Sequence, residues 1–252
     1  MRTLGDKNFR GAVALSALLA LAAAGTAQAA GTLTFYIQGE ELATEGFIAP
    51  QLTKDGWSLT FAHIWVTLAD ITAHQTTPPF DAGREELITA TQQVTLPGVY
   101  TLDLVSGGEH GRLRIDHLSA PLGHYNALSW RMVTAAEGVA QDTVMLFIGT
   151  ATRGDQSIPF QLAVEEPHAY LCGEFIGEER KGFVTAAGEA DLEITFHLDH
   201  LFGRADKPAN DPMNRTAPGF APFASGTGVQ RLSLHGLHLG HVGEGHCRVL
   251  WS

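Results

Sequence analysis

From Gly31 onward the chain is written with a period of two, and that pattern limits the fold more than any other feature. Residues Thr32 to Ile37 alternate apolar and polar side chains, and Trp57 to Leu68 alternate for longer. Successive side chains of a strand point to opposite faces, so the pattern predicts strands. In the longer run Leu59, Phe61, His63 and Trp65 share one parity, while Ile64, Val66 and Leu68 share the other. Both faces are largely apolar, which predicts a strand covered on both sides. Short alternating runs follow at Val144–Ile148, Ile158–Leu162, Lys181–Val184 and Ala190–Phe196, with turn residues between them. Two passages, Leu96–Leu104 and Pro121–Trp130, each set a Pro/Gly turn before a tyrosine, Tyr100 or Tyr125, that opens a strand. Many short strands with little helical periodicity predict an all-β fold, a β-sandwich or partly closed barrel, formed as a single domain over residues 30–252.

Three segments break the pattern. Residues 39–55 carry Glu40, Glu41 and Glu45 with Gly46 and Pro50, and read as a loop of solvated acids. Residues 74–86 read as an exposed excursion, and residues 203–228 as a long Gly/Pro/Asn-rich loop of the kind that is functional or mobile. Val229 to His241 fits neither period, and a short helix capped near Thr227 is expected there.

The chain begins with the layout of a secretory leader. Arg2, Lys7 and Arg10 precede an apolar run from Ala12 to Ala24, and small residues lead to Ala27-Gln28-Ala29. Cleavage near Ala29 is expected, because the apolar run is too short to span a bilayer. An exported, periplasmic or secreted protein is the corresponding location. Of the 16 basic and 27 acidic residues, three basic and one acidic lie in residues 1–29, which leaves a charge of −13. That surface argues against a nucleic-acid partner, since phosphate binding relies on Lys and Arg. Cys172 and Cys247 are the only cysteines. In an oxidising compartment they are expected to form a disulfide.

The histidines carry the chemistry. Four of the twelve, His235, His238, His241 and His246, lie close together near the C-terminus beside Glu244 and four glycines. His197, Asp199 and His200 form a second group. Imidazole suits copper, zinc, iron and nickel, and adjacent carboxylates widen the choice. If the strand that starts near Ala190 continues, His197 and Asp199 project from one face, roughly 6.6 Å apart. Gly243 and Gly245 give His241 and His246 freedom to meet the first group. The expected ligands are His197, His200, His241 and His246, with Asp199 and Glu244 as further ligands or their supports. His235 and His238 are lesser candidates. His63, mid-strand, is read chiefly as a hydrogen-bonded core residue, and His74, His110, His117, His124 and His168 as surface residues. No tight zinc signature such as H-E-x-x-H or C-x₂-C occurs.

The string from His197 to Gly203 at the end of a strand resembles periplasmic copper-binding proteins of the MbnP/CorA kind. The resemblance covers that string alone. It implies a secreted β-rich domain associated with copper uptake, and bears on His197, Asp199 and His200.

These observations predict an exported protein that binds copper or zinc for uptake, delivery or storage, rather than for turnover. A membrane transporter or a metal donor or acceptor protein is the partner that role implies. A metal-dependent hydrolase, with Glu244 as general base, is the runner-up. A third reading is a sandwich without metal that binds sugar or peptide through Trp57, Trp65, Trp130 and Trp251.

Overall fold

The structure, a computed structural model, describes residues 29–108 and 111–251. The expected leader, apart from Ala29, and His110 lie outside the described residues. In chain order the elements are β1 (Ala30–Gln38), α1 (Glu40–Thr44), β2 (Ser58–Thr76), β3 (Ala90–Asp103), β4 (Leu113–Pro121), β5 (Gly123–His124) and β6 (Ala127–Met132). Next come β7 (Met145–Arg153), β8 (Gln156–Val164), β9 (His168–Cys172), β10 (Phe183–Val184) and β11 (Glu189–Phe196). The chain ends with α2 (Asp199–Phe202), α3 (Pro212–Thr216), β12 (Val229–Arg231), β13 (Gly240–Val242) and β14 (Gly245–Trp251).

Twelve strands join one mixed sheet in the order β12-β8-β7-β2-β6-β9-β14-β13-β11-β1-β4, with β3 also on β2. The sheet curls into a half-barrel, so the all-β expectation holds in its partly closed barrel form. The long strand β2 makes the curl possible. It pairs with β7 through Ser58–Val66, then with β6 from Leu68 to His74, while β3 runs along its second half. Between Ala69 and Ile71 the register shifts, and Asp70 sits at φ 53. A bulge of this kind bends a strand and sharpens its twist. Opposite it lie Pro97 and Gly98, which therefore sit inside β3 and not in a turn before it. β3 pairs only with β2, and an edge strand tolerates a proline that cannot donate.

Alternation sets the core. Leu33, Phe35 and Ile37 of β1 are fully buried, and Tyr36 and Gln38 line the other face. Trp57, Trp130, Tyr170, Phe147, Phe196 and Phe202 fill the interior, with Trp130 stacked on Tyr170 at 4.9 Å between ring centres. Trp57 and Trp130 are thus unavailable to a sugar. Trp65 stacks on His63 and Trp251 on His235. Cys172 of β9 and Cys247 of β14 are directly opposite one another and form the expected disulfide.

The region 229–241 corrects one expectation. It holds β12, a turn at Leu234–Leu237 and the start of β13, and no helix. Its four leucines, Leu232, Leu234, Leu237 and Leu239, are all buried, but from a turn and not from a regular element. The short helix near the C-terminus is α3, inside the Gly/Pro-rich stretch. Asp211 caps it by accepting from the Met213 N–H, and Pro212 supplies the preset φ of the first turn.

His74 and His168, expected at the surface, are buried in β2 and β9. Burial holds the His74 imidazole down to about 4, and its Nε2 meets Ser129 Oγ at 2.9 Å. A depressed folded pKa means that stability is complete above the unfolded value near 6.5 and is lost as pH falls toward 4. His74→Gln should therefore cost stability at pH 7.5, and the gap from wild type should narrow at pH 5 in thermal melts. An equal gap at both pH values would acquit this imidazole.

Candidate metal centre

β11 delivers the first two histidines. Leu192, Ile194 and Phe196 pack into the core, and Glu193 and Thr195 take the other parity. The His197 N–H still donates to Leu239 O at 3.0 Å, one residue past the strand. At Leu198 the backbone turns helical, α2 forms, and Gly203 at φ 63 ends it. The expected continuation of the strand through Asp199 does not occur. The His200 N–H donates to His197 O, and residues three apart share a face of a helical turn. The side chain beside His197 is therefore His200, its ring stacked at 5.6 Å between centres.

The hairpin β13–β14 delivers the other two. Val242 pairs with Gly245 across the two-residue turn Gly243-Glu244, which places His241 opposite His246. Gly243 adopts φ 58, and an added Cβ would lie 2.1 Å from Ile176 O, so the turn requires glycine. His241 also pairs with Thr195, which seats the hairpin against β11. The result is convergence on His241. Its ring centre lies 4.4 Å from that of His197, 5.0 Å from His200 and 5.2 Å from His246.

Backbone carbonyls fix the tautomers. A carbonyl oxygen can only accept, so an imidazole nitrogen bonded to one must carry the proton. His197 Nε2 donates to Gly243 O at 3.0 Å, His200 Nδ1 to His238 O at 2.6 Å, and His241 Nε2 to the same His238 O at 2.8 Å. Each ring keeps one nitrogen in reserve. For His197 it is Nδ1, 3.3 Å from Glu40 Oε2. For His241 it is Nδ1, which is buried and has no hydrogen-bond partner. Asp199 Oδ1 is likewise buried and unpartnered. An unsatisfied buried polar atom costs about 1–3 kcal/mol, and two in one cluster fit a site built for a ligand. Outer hydrogen bonds that fix imidazole orientation are also the usual support of a metal-ligating histidine. The donor set therefore fits copper or zinc.

No family model, curated protein or solved structure matches the chain. The functional argument rests on the site itself.

Charge is distributed unevenly over the four rings. Burial opposes protonation of His197, but the Glu40 carboxylate beside it wins and lifts it to about 9. Burial and the neighbouring His197 cation push His241 down to about 3. His200 is lowered by burial, and Asp199 is raised by burial despite the adjacent histidines. Without metal, the cluster thus carries its proton on His197 and keeps its other buried rings neutral, the form that ligates.

Glu40 was read in the sequence as a solvated loop acid and belongs to the centre instead. Its carboxylate, that of Glu244 and a nitrogen of His197 all lie within 4.8 Å of one another. Glu40 opens α1 at φ 56, a left-handed conformation that few residues other than glycine adopt. Strain of this kind is retained where surrounding structure demands it. The lesser candidates fall away from the cluster. His63 is exposed, not core, and pairs with Asp103 at 2.7 Å. His235 stacks on Trp251 and faces Glu166. The His238 side chain is exposed, and only its carbonyl serves the centre.

Proposed function

We propose that this protein is an exported binder of a transition-metal ion, copper or zinc, that serves uptake, delivery or storage. The ion is held around the unpartnered Nδ1 of His241, with His200 and His246 as further imidazole ligands and His197, Asp199 and Glu244 bordering them. The observation that carries the reading is the neutral, buried His241, fixed by the His238 carbonyl with its second nitrogen unsatisfied. The Cys172–Cys247 disulfide and the leader-like start of the chain support an oxidising destination. A membrane transporter or a metal-exchanging protein is the partner for such a carrier.

Elemental analysis of the protein purified from the periplasm of an exporting host tests the proposal. Wild-type protein should carry stoichiometric copper or zinc, and His200→Ala/His246→Ala should lose it from the imidazole ligands. Both side chains are partly or fully exposed, so the variant should fold. Metal retained in full by the double variant would overturn the assignment.

A further inference from the structure

The backbone sorts the donors of the centre into two sets. With its Nε2 proton committed to Gly243 O, His197 can offer only Nδ1, and that atom faces Glu40. His241 offers only Nδ1 and His200 only Nε2, because the His238 carbonyl takes the other proton of each. His197 thus groups with two carboxylates, Glu40 and Glu244, its ligand atom within 4.8 Å of theirs. His241 groups with His200 and His246, its ring centre 5.0 and 5.2 Å from theirs. Two separate clefts reach the centre. One, of about 370 Å³, is lined by Glu40, Glu41, Asp199 and Arg204. The other, of about 360 Å³, is lined by His200, Met213, His238 and His246.

We propose that the centre holds two metal ions: one on the imidazole set of His200, His241 and His246, and a second on an oxygen-rich subsite of Glu40, Glu244 and His197 Nδ1. The inference rests on the metal-binding reading given above and extends it. Asp199 lies between the two. It adjoins His200 in the chain, lines the acidic cleft, and keeps a buried oxygen without a partner. A carboxylate in that position can offer one oxygen to each ion. Charge supports the count. Three carboxylates around one divalent ion leave the centre net negative, and a second divalent ion neutralises them. Carboxylates with a single imidazole suit Zn²⁺ or Mn²⁺, whereas the imidazole set suits copper or zinc. The subsites therefore differ in preference, and Zn²⁺ is the probe that fills both.

Equilibrium dialysis of disulfide-intact, metal-stripped protein against Zn²⁺, followed by elemental analysis, reads the stoichiometry directly. Wild-type protein should bind two ions per chain. Glu40→Gln/Glu244→Gln and His200→Ala/His246→Ala should each bind one. Metal-free melting curves and far-ultraviolet circular dichroism check that each variant folds, and the wild-type count decides the matter without them. A wild-type count of one, indifferent to the glutamine variant, would remove the second subsite and leave the imidazole site standing. One ion lost in either variant would mean a single shared site, which also overturns the two-ion inference. A count of zero would overturn both this inference and the metal-binding reading.

Discussion

Replacing Cys172 and Cys247 together with alanine is expected to lower the unfolding free energy by about 4 kcal/mol. The cross-link spans 75 positions of the chain, and closing a loop of that length removes much of the freedom of the unfolded state. The native state loses little beyond it, because β9 and β14 are held by their own ladder over five paired positions. The expected consequence reaches the metal centre. Cys247 follows His246 directly, and the bond anchors the start of β14 at the point where that strand leaves the hairpin. Urea titration of the metal-free protein, with and without the pair, measures the stability term. Zinc affinity of the same two proteins measures the coupling and should fall about tenfold, as for loss of an outer support. A stability difference below about 1 kcal/mol would show that the ladder alone suffices.

His241→Phe should separate binding from stability. The phenyl ring replaces imidazole at similar volume, removes the unsatisfied Nδ1 and forfeits one hydrogen bond to His238 O, terms of about 1 kcal/mol that oppose each other. The metal-free variant should therefore melt close to wild type at pH 7.5. Metal affinity should fall more than about 100-fold, since even outer-shell losses reach that range. Acid should widen the contrast in the opposite direction. His241 is held near 3 in the folded state, so its contribution is intact above about 6.5 and is lost as pH falls toward 3. The variant lacks that liability and should outlast wild type at pH 4.5. Wild-type metal affinity in His241→Phe would exclude this ring as a ligand, and a large loss of metal-free stability would make its role structural.

Period-two patterning made the strands of the half-barrel legible, because buried and exposed faces alternate at Leu33, Phe35 and Ile37 and again along β2. The cysteine pair was legible for a simpler reason: two thiols in an exported chain leave one partner each. The histidine groups were recognisable by their density, and His197, His200, His241 and His246 do meet. What could not be read was the turn at Leu198, since nothing in the apolar pattern before it signals that the strand stops at Phe196. Glu40 was missed on grounds of topology. β1 runs parallel to β11 with Gln38 opposite Thr195, and only that non-local pairing carries the acid to His197. The lean toward a helix near Thr227 failed because buried leucines in a turn imitate a broken helical repeat.

His238 donates no side chain to the centre, yet its peptide oxygen is the common stop for two rings that arrive on different elements, α2 and β13. The grip on an ion is consequently a property of where one peptide plane lies. A twist of that plane releases the His200 and His241 rings in the same movement, like a latch with a single pin. The identity of the side chain at 238 is correspondingly free to drift.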